Sequence, residues 1–269
     1  MTVITFRFMP HYDDLQPSEL PAFNEGISQG YDREPYFLMP YNPPYYDDYI
    51  RKAGFGLSMD LFTYQVVNTT GVGEVIDRNA EMARQQGVSV RTIDFKNLWT
   101  EARTIAAIFN DALSKNWGFE EFCDDQVKEM VQMFKLFIDP RFVALAQKDG
   151  KDVGCLIMLP NYNPLIKDSK GRITPKLVWR YLRRKKIVRH LRGYALGVLK
   201  DYHGYGIGSM LTQEMFSLAE KAGLREGEIS WILANNGPMN ELTKAMGGRH
   251  NKVYRIYEKN PSETLSKPA

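Results

Sequence analysis

The chain has 269 residues, 43% hydrophobic and 25% charged, enough apolar content for one large or two modest domains and too much for a disordered chain. Its 35 Lys and Arg are nearly balanced by 32 Asp and Glu, so the net charge of +3 gives no global nucleic-acid footprint. Cys123 and Cys155 share no metal or redox spacing, the N-terminus carries no apolar leader, and no run approaches the roughly 20 apolar residues that span a bilayer. The expectation is a reduced, cytoplasmic protein with no metal and no membrane association.

In chain order, residues 13–44 are rich in Pro, Tyr, Gly and acids without periodicity and read as irregular but aromatic chain. Pro43 and Pro44 precede a short helix over 45–55 with acids early, bases late and Gly54 at its end. A strand follows over 60–67, then a charged helix over 72–86, and a domain boundary is placed at residue 87. Residues 88–95 alternate as a strand, and 97–117 and 124–137 carry apolar residues at helical spacing, the second with Asp124 or Asp125 as its N-cap. Residues 142–147 and 153–159 are strands joined by a turn at Asp149-Gly150.

The stretch 160–189 is a polar insertion in which 179–186 form a basic amphipathic helix. Strand, helix, strand, helix, strand then follow at 193–199, 208–222, 228–233, 239–246 and 252–258, which implies an α/β fold with crossover helices. Two segments, 41–64 and 236–257, repeat one arrangement of asparagine, helix, glycine, strand and tyrosine, as equivalent pieces of two related domains would.

The chemistry concentrates where the apolar strand Leu196-Gly197-Val198 enters Gly204-Tyr205-Gly206-Ile207-Gly208-Ser209 and a long helix. Glycines let successive N–H groups converge, and the helix N-terminus adds about half a positive charge, so the turn suits a pyrophosphate. The Gly-Lys-Ser/Thr ending of a nucleoside triphosphate loop and the Rossmann spacing Gly-x-Gly-x-x-Gly are both missing.

This segment resembles motif A of the Gcn5-related N-acetyltransferases, Arg/Gln-x-x-Gly-x-Gly/Ala, with Gly206 and Gly208 in the glycine places and His203 in place of Arg/Gln. The resemblance covers some 170 residues in element order. It implies a mixed, mostly antiparallel sheet flanked by helices, occupying 88–260, with 261–269 as a flexible tail. It also implies an acetyl-CoA site formed by Leu196, Val198, His203, Gly204, Gly206, Ile207, Gly208, Ser209 and either Asn235 or Asn236. The Val198 backbone would polarise the acyl carbonyl. Glu228 is the first candidate for the base that takes the acceptor amine's proton. Where the family often has a tyrosine acid this chain has Thr243, so Tyr254 or Tyr257 would protonate the departing thiolate. Cys155 reads as a core thiol.

Residues 24–64, including Asn42, Gly54-Phe55 and Tyr64, resemble the end of the first domain in bacterial proteins with two such domains in tandem, so 1–87 is expected to be a partial copy. Phe62, Tyr64 and Val66 would have to pack on the second domain or on another subunit, as in a homodimer. The resulting expectation is transfer of an acetyl group from acetyl-CoA to an amine of a small molecule or peptide. The rivals are a silent acyl-CoA sensor and a tRNA-dependent aminoacyl transferase that would use the basic run on phosphates.

Overall fold

The computed structural model describes residues 24–67, 71–169, 171–224 and 226–259; the expected tail at 261–269 lies outside them. In chain order the elements are β1 (Asn24–Gln29), α1 (Tyr45–Lys52), β2 (Gly56–Val67), α2 (Glu74–Gln85), β3 (Ser89–Thr92), α3 (Leu98–Leu113), α4 (Asp124–Phe137), β4 (Val143–Lys148) and β5 (Lys151–Pro160). There follow α5 (Asn163–Ile166), α6 (Pro175–Leu182), α7 (Arg184–Ile187), β6 (His190–Val198), α8 (Ile207–Lys221), β7 (Glu226–Leu233), α9 (Gly237–Ala245) and β8 (Arg249–Glu258).

All eight described strands form one sheet in the order β1-β8-β2-β7-β6-β5-β4-β3. The β4–β5 hairpin turns on Asp149 (φ 51°) and Gly150 (φ 76°), the two left-handed residues that a tight reverse turn needs. Helix α4 starts as its spacing requires, but its N-cap is Cys123, whose N–H donates to Gln126 Oε1 at 2.9 Å, while Asp124 and Asp125 occupy the first turn. Two other local expectations are corrected. Residues 24–29 are not irregular but an edge strand antiparallel to β8, and the basic helix is two short helices interrupted at Arg183.

One face of the sheet is covered by α3 and α4, with Ile105, Phe109, Met130 and Phe134 in the core between them. The other is covered by α2, α8 and α9, over Ala80, Ala83, Met210, Leu211 and Met239.

The sheet is continuous across the boundary placed at residue 87. Strand β2 lies between β7 and β8, antiparallel to both. Tyr64 and Val66 are buried and Phe62 is half-buried within the chain itself. The two repeated segments interlock: β1-α1-β2 and β7-α9-β8 each lend their last strand to the other, so β1 pairs with β8, β7 with β2, and β2 with β8. The hydroxyl of Tyr64 on β2 donates to Asn240 on α9, and that of Tyr257 on β8 donates to Asp47 on α1. Leu61 and Tyr254, equivalent in the repeat, face each other across the β2–β8 pair, as an approximate two-fold axis there demands.

Candidate functional site

Strands β6 and β7 are parallel but paired only over His190–Gly193 against Glu226–Ile229. Beyond Gly193 they part, and the opposite edge of β6 stays bonded to β5. Leu199 N–H donates to Val153 O on β5 at 2.9 Å, so by strand alternation the N–H and C=O groups of Val198 and Leu196 face the gap left by β7. The chain then runs through Gly204 (φ 86°) and Gly206 (φ 76°) into α8. The amides of Ile207, Gly208 and Ser209 open that helix and have no carbonyl a turn behind them, whereas Met210 N–H already bonds to Gly206 O at 3.0 Å.

These groups line a cleft of about 900 Å³ between the β6 end, the α8 N-terminus and the start of α9. Leu196, Val198, His203, Gly204, Gly206, Ile207, Gly208, Ser209 and Asn236 all border it. Asn235 does not join them and is exposed. Asn236 serves two ends at once, since its side chain also accepts from Met239 N–H at 3.2 Å as the α9 cap. His203 points a ring nitrogen at Val198 O, 3.0 Å away, so it ties the turn back to the open edge of β6.

Sequence reasoning missed the wall that α2 contributes. Asn79 and Met82, one helical turn apart, border the cleft, and a Cβ built on Gly206 would lie 2.0 Å from Asn79 O. Gly206 is therefore demanded twice, by its positive φ and by the approach of α2. Behind the cleft, between α8 and the paired feet of β6 and β7, is a second, apolar cavity of about 60 Å³ lined by Met158, Leu191, Met215, Phe216 and Leu224. Leu196 and Met239 border both spaces.

The expected catalytic residues lie in the sheet rather than in the cleft wall. Glu228 is wholly buried, and its Oε2 receives Lys252 Nζ at 2.6 Å, Asn251 Nδ2 at 2.5 Å and, more weakly, Thr63 Oγ1 at 3.4 Å. Oε1 has no partner. Across the β6–β7 pair, buried Arg192 donates to Ser230 Oγ at 3.0 Å and to Phe37 O at 3.0 Å; burial pushes its pKa down, and the Tyr194 ring 5.2 Å away and Glu228 oppose that. Tyr254 is wholly buried against Trp231, ring centroids 5.5 Å apart, and neither its hydroxyl nor the indole N–H has a partner. Burial, and secondarily the Glu228 carboxylate, raise the Tyr254 pKa, so it stays a phenol. Tyr36, Phe37 and Met39 roof this group, with Lys252 Nζ 5.7 Å from the Tyr36 ring centre.

Tyr257 is not brought to this group. It is three residues from Tyr254 on one strand, hence on the opposite face, and its hydroxyl is engaged by Asp47. Thr243 is fully buried in α9. Cys155 is wholly buried in the α3–α4 core, where burial raises its pKa, as a core thiol requires. Arg192, a lone guanidinium in the mostly apolar β6, was the sequence signal for this polar group, and it went unread; Lys252 is masked by the other charges of β8.

A family model described as the acetyltransferase (GNAT) family matches residues 103–247. The chain belongs to that family. It is 33% identical over 238 residues to a protein named "Bacterial ceramide synthase" of Caulobacter vibrioides (strain NA1000 / CB15N), over 86% of this chain and 62% of that one. It is also 27% identical over 242 residues to "Protein YghO" of Escherichia coli (strain K12), over 87% of this chain and 61% of that one. The chain thus spans less than two thirds of the length of these curated relatives. In fold it resembles a GCN5-related N-acetyltransferase from Sphaerobacter thermophilus (TM-score 0.57, 15% identity, 91% of this chain and 62% of that chain). It also resembles a tandem GNAT protein from the clavulanic acid biosynthesis pathway (TM-score 0.52, 12% identity, 87% and 62%).

Proposed function

We propose that the protein is an acyl-CoA-dependent N-acyltransferase, a reading carried by the open edge of β6 meeting the α8 N-terminus in one cleft. The pyrophosphate would lie on the amides of Gly206 to Ser209, and the pantetheine would run along the Leu196 and Val198 edge. The Val198 amide would then stabilise the oxyanion that forms as the amine attacks the thioester carbonyl. Glu228 Oε1, buried and unpartnered while Oε2 is saturated, is the group suited to take the amine's proton, and the Tyr254 phenol is suited to return one to the thiolate.

Acetyl-CoA is a short donor of this class, but the apolar cavity that shares Leu196 and Met239 with the cleft supports a longer acyl chain. By the measure that one water needs about 10–15 Å³, its 60 Å³ would take on the order of five methylene-sized groups, and its methionines can move to admit more. The name of the Caulobacter vibrioides relative points the same way, since a ceramide is the amide of a fatty acid and a long-chain amino alcohol. The acceptor amine is accordingly proposed to belong to a long-chain amino alcohol, ahead of a small polar amine or a peptide.

A second reading, acyl-CoA binding without turnover, is favoured by the complete burial of Glu228 and Tyr254. One experiment separates the two. The protein is titrated calorimetrically with CoA and with acyl-CoAs of increasing length, and thiol release is then followed with small, peptide and long-chain amines. Amine-dependent release supports the transferase, binding without release supports the sensor, and absence of binding defeats both.

A further inference from the structure

The insertion between β5 and β6 carries a charge that the rest of the chain does not share. Residues 167–189 hold ten Lys and Arg and a single acid, Asp168, so the remainder of a chain of net charge +3 is net acidic. Helix α6 docks through Leu177 and Tyr181, which are four residues apart and so on one face. Leu177 packs against the Phe37–Tyr162–Leu165 cluster, and the Tyr181 hydroxyl donates to Leu136 O at 2.8 Å. The outward face carries Val178, Trp179 and Leu182, which are 48%, 53% and 73% exposed, and Ile173 just ahead of the helix is 87% exposed. Solvent alone does not call for four large apolar side chains exposed within one short basic segment.

The cations flank this apolar strip. Arg183 lies over the Trp179 ring at 4.5 Å and Arg184 over the Tyr181 ring at 4.4 Å. Lys176, Lys185, Lys186 and Arg189 are exposed, whereas Arg180 is held by Asp168 and Pro164 O. An apolar strip containing a tryptophan, edged by lysine and arginine, has the make-up of an element that lies in the plane of a lipid interface. A polyanion such as RNA would use the charges but leave Ile173, Val178 and Leu182 without partners.

We propose that α6 and α7 form a docking surface for an anionic phospholipid membrane, with Ile173, Val178, Trp179 and Leu182 inserted among the acyl chains and the lysines and arginines on the headgroups. The same insertion packs on Phe37, whose carbonyl receives Arg192, so docking would bring the roof of the buried Glu228 group toward the lipid. This site does not depend on the chemistry proposed above.

The test is flotation of the full chain with phosphatidylcholine vesicles and with vesicles that mix phosphatidylcholine and phosphatidylglycerol, at rising salt. Binding to the anionic vesicles only, weakening with salt, is expected. Lys185→Gln with Lys186→Gln should lower that binding roughly 30-fold, about fivefold for each charge. Val178→Ser with Leu182→Ser should lower it by at least roughly tenfold. All four positions are partly or fully exposed, and urea unfolding of each variant reports that it is folded. Absence of vesicle binding, equal binding to neutral vesicles, or full binding by the Val178/Leu182 variant would overturn the proposal. Salt-sensitive binding of tRNA without vesicle binding would replace it with a nucleic-acid role.

Discussion

The two interlocked segments, β1-α1-β2 and β7-α9-β8, share a layout but not an environment. The second is preceded by β6, the glycine turn and α8, so its first strand can part from β6 and leave a cleft. Among the described residues nothing equivalent precedes the first, and β1 is an edge strand paired only with β8. The strands common to both hold the sheet together, and what distinguishes the second copy is what stands before it. The first copy acts as a brace: it supplies β2 to the middle of the sheet and, through residues 36–39, a roof over the polar group.

The strongest way to break this arrangement is at the seam, where Glu228 of the second copy meets Thr63 of the first. Lys252→Met would leave the Glu228 carboxylate buried without its cation, and a loss of about 3–5 kcal/mol is expected in urea unfolding. The double variant Lys252→Met/Glu228→Leu should recover part of that loss, because it removes both charges of the pair, although buried Arg192 then loses the Glu228 carboxylate across the β6–β7 pair. If the double variant is as unstable as the single one, the pair is not the seam's electrostatic problem.

The next test concerns the glycines that mark the second copy. Gly206→Ala would force a Cβ against Asn79 O and a left-handed φ on alanine, and roughly 2–5 kcal/mol of stability should be lost together with CoA affinity. The family pattern admits alanine in the place of Gly208, whose added Cβ would meet only Leu196 Cδ2, at 3.8 Å, in the first turn of α8. Gly208→Glu should therefore leave urea stability within about 1 kcal/mol, while a carboxylate in the phosphate cradle weakens CoA binding roughly 100-fold. Equal CoA affinity in Gly208→Glu and the parent would remove the α8 N-terminus from the proposed site.

Much of what stands before the second copy could be read from the chain. The glycine turn, the Asp149-Gly150 hairpin and the α4 register depend on local backbone chemistry, and local chemistry is written in adjacent residues. The partners of the brace were not legible, because they join residues from 159 apart (Val67 and Glu226) to 233 apart (Asn24 and Tyr257). That β2 enters the sheet between β7 and β8 follows from pairing across the whole chain, although the repeat of 41–64 in 236–257 was its visible trace. The Glu228–Lys252 pair, 24 residues apart, escaped because β2 stands between their strands in the sheet, and Tyr257 was taken for a site residue because nothing local shows which face of a strand is the working one.

The smallest expected effect probes the approximate symmetry itself. Tyr64 and Tyr257 are equivalent in the repeat, and each ties its strand to the helix of the other copy. The acceptors differ: Asn240 is buried, whereas the Asp47 side chain is 27% exposed and also pairs with Arg51. Tyr64→Phe would strand Asn240 Oδ1 away from water and should cost about 1–3 kcal/mol in urea unfolding. Tyr257→Phe lets water and Arg51 satisfy Asp47, so about 0.5–1 kcal/mol is expected there. Neither hydroxyl belongs to the proposed chemistry, so amine-dependent thiol release per folded molecule should match the parent in both. A large fall in turnover for Tyr257→Phe with little loss of stability would restore Tyr257 as a candidate acid and would mean that the two copies are not equivalent at this position.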